Sequence, residues 1–179
     1  GHSLIKMRDN LAENERGLEQ KVKERTEEVV RQKEEIENKN GQLEILYKQV
    51  TDSILYAKRI QEAILPPDSI IKELVPNSFV LFKPKDIVSG DFYWFDKKEE
   101  LVYFSTVDCT GHGVPGAFMS LVGHNILKDI VNNTKLKKPS DMLNKMREQV
   151  VKTLHADSDG TKAKDGMDMT LCAINYKTL

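Results

Sequence analysis

The sequence has no excess of charge of either sign and few residues suited to cross-linking or membrane insertion. Its 27 lysines and arginines stand against 28 aspartates and glutamates, a net charge of −1 that gives no electrostatic reason to expect nucleic acid as a partner. No apolar run approaches the ~20 residues of a transmembrane helix, and there is no secretory signal. Cys109 and Cys172 form no metal-type or redox-type pair. These absences predict a cytoplasmic protein, or the cytoplasmic portion of a larger, membrane-associated sensor protein.

A seven-residue repeat of apolar residues runs through the first 65 residues. Polar residues occupy the companion position at Arg25, Gln32 and Lys39, so the seam is weak in its middle. The pattern extends past three or four heptads and predicts a coiled coil, and its β-branched members favour a parallel homodimer. Two interpretations stay open, a solvated spacer helix or a signalling stalk that can change register. The first position of the repeat holds Val22, Val29, Ile36, Leu43, Val50, Ala57 and Ile64.

The end of this helix predicts a contact with the domain that follows it. The stretch "VTDSILYAKRIQEAIL" adds Ile54, Leu55 and Tyr56 to the seam, and a helix with a wider apolar surface usually packs against something besides its twin. Pro66-Pro67 then ends the helix, since proline has no backbone donor. We therefore expect a coiled-coil dimerisation and signalling helix over 1–65 and a second domain over 66–179.

Downstream of the prolines the apolar pattern changes to a period of two. Three β-rich stretches, "SFVLFKPK" (78–85), "GDFYWFD" (90–96) and "LVYFSTVDC" (101–109), predict strands. Two helices follow, Val114 to about Asn132 (expected to be largely buried) and Pro139 to about His155, then a loop at 156–166 and a strand at 167–176. The order predicts the α+β class, with helices packed on an antiparallel sheet.

Two carboxylates fall at the ends of neighbouring strands. If the hairpin reverses at Glu99-Glu100, residues whose numbers sum to 199 face each other, and Asp91 stands opposite Asp108. Like charges at that spacing are destabilising unless a cation lies between them. Oxygen ligands suit Mg²⁺ or Mn²⁺, and the glycines after Cys109 would let a backbone carbonyl join. The alternative is that Asp108 only caps the turn into the next helix.

Three motifs in one order resemble a known family. "AILPP", "KPKDIVSGDFYWF" and "VDCTGHGVPGAFMSLVG", followed by "DGMDMTLCAI", are similar to bacterial PP2C-type serine/threonine phosphatases of the SpoIIE/RsbU class. The resemblance implies an α-β-β-α sandwich, and a dinuclear Mn²⁺ or Mg²⁺ centre held by Asp91, Asp108 and the backbone carbonyl of Cys109. It implies a metal-activated water as nucleophile, so no other catalytic residue is assigned. Ser89 stands where the family often has glycine.

Other polar residues near these motifs receive no role. His112, between two glycines, is assigned to the turn, and Asp165 and Asp168 are assigned to structure. Family members continue past the last strand with Thr-Asp-Gly and Asp-Asp motifs that supply further ligands. The chain is therefore expected to be a domain cut short or a natural half-domain. On its own it is expected to bind at most one metal weakly and to hydrolyse phosphoesters negligibly.

Two function classes follow. The first is a metal-dependent phosphatase module that dephosphorylates a phosphoserine or phosphothreonine switch protein, such as an anti-sigma-factor antagonist, under the control of an upstream sensor domain. The alternative is a dimeric coiled-coil adaptor that carries a non-catalytic half-domain.

Overall fold

The computed structural model describes residues 2–155 and 165–175. Its contacts divide the chain into two units, Gly1–Thr51 and Asp52–Leu179. The elements in chain order are α1 (His2–Ile64), α2 (Asp68–Leu74), β1 (Phe92–Lys98), β2 (Leu101–Cys109), α3 (Gly113–Asn133), α4 (Pro139–His155) and β3 (Met167–Asn175). The predicted α+β class is confirmed. None of the helices in these ranges combines the length and the apolar character needed to cross a bilayer.

The apolar repeat of α1 lies on an uncovered helix surface. Seven of its side chains are each more than half exposed. A single helix in water gains little stability from helix propensity alone, and most helices in proteins are stabilised by packing of an apolar face. An apolar stripe of this length is typical of a helix that pairs with another helix. The parallel homodimer stays a prediction. The seven residues are Leu11, Leu18, Val22, Val29, Ile36, Leu43 and Val50.

The last turns of α1, which belong to the second unit, pack within it through fewer residues than predicted. Gln61 is the buried residue of this helix, and Leu65, just after it, packs against the hydrophobic core. Ile54 is half-buried, whereas Leu55 and Tyr56 are exposed. Successive helical residues point about 100° apart, so a single packed face cannot cover three consecutive side chains. The predicted contact therefore exists, but Leu55 and Tyr56 take no part in it.

The sheet has the strand order β1-β2-β3, and both pairs are antiparallel. The β1–β2 register joins Phe92 to Val107 and Lys98 to Leu101, which confirms the predicted reversal at Glu99-Glu100. Glu99 adopts a φ of 56°, the left-handed conformation that two-residue hairpin turns use. Strand β3 then lies along the other edge of β2.

The hydrophobic core lies between one face of the sheet and helices α3 and α4. Phe92, Trp94 and Tyr103 of the sheet pack there against α3 and α4 residues that include Leu127 and Met142. The prediction that α3 is largely buried was only partly right. The helix buries one face, while Phe118 is 65 % exposed, because the sheet and α4 cover only that face.

Two local features differ from the sequence prediction. Residues 78–85 form no strand: the side chains of Phe79 and Leu81 lie in solvent, while the Phe82 ring packs edge-on against Tyr93. Helix α2, which was not predicted, follows Pro67 and buries Ile71. The predicted loop is described only at its last two residues, since 156–164 lie outside the described residues, as does Tyr176.

Candidate metal centre

A cleft of about 540 Å³ opens where β1 begins and β2 ends. Asp91 directly precedes Phe92, and Phe92 faces Val107, so the ladder brings Asp91 and Asp108 to the same end of the hairpin. Both carboxylates line the cleft. Partial burial raises the pKa of Asp91, and the negative charge of Asp108 and a hydrogen bond between the two carboxyl groups raise it further. The predicted juxtaposition of two like charges is therefore present, at a site that a cation would stabilise.

Three glycine backbones meet beside these carboxylates. A Cβ on Gly90 would lie 2.6 Å from the carbonyl oxygen of Gly111, and a Cβ on Gly116 would lie 2.5 Å from the same atom. Gly111 and Gly113 also have φ values of 91° and 63°, which side chains disfavour. The backbone before Asp91 can therefore approach the turn after β2 only because these positions carry no side chain.

The two ends of Cys109 have different surroundings. Its carbonyl oxygen would lie 3.2 Å from a Cβ on Gly90, so it faces the loop that carries Asp91. Its thiol is buried in the core, and burial, with the nearby Asp108 and Asp91 charges, raises the pKa of Cys109 to about 12. A neutral, buried thiol is a poor metal ligand. The backbone carbonyl is therefore the group of Cys109 that faces the loop carrying Asp91, and its role as a metal ligand stays a prediction.

A third aspartate, Asp168, lines the cleft, although the sequence pattern had assigned it a structural role. Asp168 of β3 pairs directly with Asp108 of β2, and residues paired across strands project from the same face. The pattern around Asp168 gave no signal of this, because the neighbour depends on which strand lies beside β2. Asp165 is exposed and is not among the residues that line the cleft.

His112 and Asp86 form a further polar pair at this cleft. The His112 Nδ1 lies 2.8 Å from Asp86 Oδ2, and both residues line the cleft. His112 directly precedes α3 but its side chain makes no capping hydrogen bond to that helix. The prediction that His112 serves the turn therefore applies to its backbone, whereas its side chain contacts Asp86. The loop at 83–90 supplies its partner, and no sequence pattern linked the two.

The donor set fits a hard divalent cation. Carboxylate and carbonyl oxygens are the ligands that Mg²⁺ and Mn²⁺ prefer, and the glycine contacts leave room for the backbone to approach. Within residues 2–155 and 165–175, no three His, Cys, Asp or Glu side chains lie close enough together to hold a metal ion. The chain thus supplies a pair of carboxylates and a carbonyl, and water would fill the remaining positions of a six-coordinate ion.

Fold and cleft together identify the chain as part of a PP2C-type phosphatase domain. Among solved structures it is similar to the SiaA-PP2C domain of Pseudomonas aeruginosa, with 32% identity and a TM-score of 0.60. The match covers 69% of this chain and 48% of that one, so the chain spans about half the length of the structure it matches. No protein-family model matches the sequence, and no curated protein does.

Proposed function

We propose that this chain is part of a Mn²⁺- or Mg²⁺-dependent protein serine/threonine phosphatase of the SpoIIE/RsbU class. The observation that carries the proposal is the pairing of Asp91 and Asp108 at one end of the β1–β2 hairpin, within hydrogen-bonding reach of each other. Two carboxylates in contact are an unfavourable arrangement for stability alone, and functional sites are where such arrangements persist.

Asp91, Asp108 and the carbonyl of Cys109 would hold the metal. When bound, the metal supplies Lewis-acid polarisation of a phosphoryl oxygen and a water of lowered pKa. The chain's own residues contribute position and charge. The glycine contacts keep the loop before Asp91 against the turn after β2, and Asp108 is fixed by its place in the central strand.

The proposed substrate is a phosphoserine or phosphothreonine switch protein, such as an anti-sigma-factor antagonist. The cleft is open to the surface, which supports a phosphorylated side chain rather than a buried small molecule as ligand. Regulation would come from an upstream sensor through a parallel coiled-coil homodimer formed by α1, whose exposed apolar repeat supports this part of the proposal. The free cysteines Cys109 and Cys172 support a cytoplasmic location.

The experiment is a Mn²⁺ titration of the chain, in which unbound Mn²⁺ is counted from its electron paramagnetic resonance signal. We expect weak binding at one site, because water must fill most coordination positions. Asp91→Ala or Asp108→Ala should abolish that binding, while Asp141→Ala, an aspartate in the first turn of α4, should leave it unchanged. Binding that survives both cleft substitutions would refute the assignment.

A second function is favoured by the lack of any group of three metal-ligating side chains in the described ranges. In that case the chain is a dimeric coiled-coil adaptor with a non-catalytic half-domain. The same titration separates the two functions, since an adaptor shows no Mn²⁺ binding that depends on Asp91 or Asp108. The corresponding activity assay measures Mn²⁺-dependent release of phosphate from a phosphoserine peptide.

A further inference from the structure

One polar side chain near the end of α1 is buried and fully engaged. Gln61 is 5 % exposed. Its Nε2 donates hydrogen bonds to the backbone oxygen of Ser89 at 2.6 Å and to Ser120 Oγ at 2.8 Å, and its Oε1 accepts from the backbone amide of Ser89 at 2.9 Å. A buried amide with this many partners holds its neighbours in one arrangement, because any shift leaves a buried polar group unpaired.

The Ser89 end of this network leads directly to Asp91. Ser89 Oγ accepts a hydrogen bond from the backbone amide of Asp91 at 3.0 Å, and Gly90 lies between the two residues. Gln61 fixes both backbone groups of Ser89, so it fixes the start of the turn that sets the direction of the Asp91 carboxylate. No charge or apolar contact of α1 with this loop is needed for that effect.

The Ser120 end leads to the other side of the cleft. Ser120 is fully buried in α3 and donates its own hydrogen bond to the carbonyl of Ala117 at 2.8 Å. The first turn of α3 also carries Gly116, which packs against Gly90 and Gly111. One side chain of α1 is therefore bonded both to the loop before Asp91 and to the helix that follows Asp108.

We propose that Gln61 is a positioning residue for the Asp91 carboxylate, and that its hydrogen bonds to Ser89 and Ser120 set the affinity of the cleft for its metal. Only the second part of this inference, the effect on metal affinity, rests on the proposed function. Without the Gln61 side chain, the backbone carbonyl and the backbone amide of Ser89 both lose their hydrogen-bond partner, and Asp91 is no longer held beside Asp108. Metal binding then has to order this loop, which lowers affinity.

The first test measures the loop without metal. Amide hydrogen exchange of residues 89–91 is compared between the wild type and Gln61→Met, which keeps the length of the side chain and removes all three hydrogen bonds. Gln61→Glu is the second variant, because an ionised carboxylate of the same size accepts from the Ser89 amide but cannot donate to its carbonyl. Gln20→Met makes the same change at an exposed position of α1 and is the matched control.

We expect exchange at Ser89 and Asp91 to be at least about tenfold faster in Gln61→Met, and the increase at Ser89 to be smaller in Gln61→Glu, which keeps an acceptor for the Ser89 amide. The amides inside β1 and β2 and the fluorescence of Trp94 should be unchanged, since a lost local hydrogen bond opens only its own segment. The Gln20 control should match the wild type. Equal exchange at 89–91 in wild type and variants, or faster exchange spread through the strands, overturns the positioning role.

The second test is the Mn²⁺ titration on the same proteins. We expect the Mn²⁺ dissociation constant to rise at least about threefold in the Gln61 variants and to be unchanged in Gln20→Met. If Mn²⁺ binds the variants as tightly as the wild type, Gln61 does not position the ligands. If the wild type itself binds no Mn²⁺ while exchange at 89–91 responds as expected, the hydrogen-bonding role of Gln61 stands and the proposed metal-dependent function falls.

Discussion

Adding one methyl group at Gly116 tests whether the cleft depends on close backbone packing. In the first turns of α3, alanine is favoured over glycine by about 0.5–1 kcal/mol of helix propensity. The new Cβ, however, would lie 2.5 Å from the oxygen and 3.0 Å from the carbonyl carbon of Gly111, and 3.0 Å from the Cα of Gly90. All three are backbone atoms, so no side chain can rotate away.

Overpacking of this kind typically costs about 1–3 kcal/mol. Subtracting the propensity gain leaves a net cost between about 0 and 2.5 kcal/mol, so we expect Gly116→Ala to lower the free energy of unfolding of the second unit by about 1 kcal/mol. We also expect it to weaken Mn²⁺ binding, because Gly90 adjoins Asp91. The matched control is Gly41→Ala in α1, where a Cβ meets nothing within 4 Å. That change should stabilise the helix by about 0.5–1 kcal/mol.

The assay is urea unfolding with two probes. Trp94 is the single tryptophan, and it is 2% exposed in the core, so its fluorescence reports the second unit. Far-UV ellipticity is dominated by the 63 residues of α1 and reports the Gly41 change. A Gly116→Ala protein with the wild-type unfolding midpoint and unchanged Mn²⁺ affinity would show that the backbones do not meet as described.

Three further predictions follow from burial and charge. Burial and the nearby Lys128 charge lower the pKa of His124, so the folded state favours the neutral imidazole. The folded protein is therefore fully stable with respect to this group above its ordinary pKa of 6.5 and loses stability as the pH falls below that value. The urea midpoints at pH 7.5 and 5.5 should differ less in His124→Leu than in the wild type. Cys172 should react with a maleimide at least about tenfold faster than Cys109 in the native protein, as mass spectrometry would show, because the Cys109 thiol is buried with a pKa of about 12. If α1 forms the predicted coiled-coil dimer, Leu43→Asp should sediment as a monomer, since a coiled-coil seam cannot hydrate the charge; a wild-type monomer at tens of micromolar would contradict the coiled coil.

The predictable parts of this protein depend on residues close together in the chain. The reversal at Glu99-Glu100 fixes the hairpin register, and that register alone brings Asp91 to Asp108. The bounds of α4 likewise follow from Pro139 at its start. The motif around Gly111 and Gly113 carries part of the family resemblance, because glycine adopts those positive φ values more readily than any other residue.

Tertiary structure decided what depends on neighbours far away in sequence. A strand needs a hydrogen-bonding partner, so the alternating pattern at 78–85 was not sufficient to make one, and Asp168 became a neighbour of Asp108 only because β3 pairs with β2. Gln61 appears polar and exposed in a helical repeat, yet it is buried because Ser89 and Ser120 supply its partners. The sequence by itself determined the β1–β2 turn, the limits of α1, α3 and α4, and the paired carboxylates. The packing of α1, α3 and the loop before β1 decided which polar side chains support those carboxylates, since a buried hydrogen bond exists only where folding brings both of its groups together.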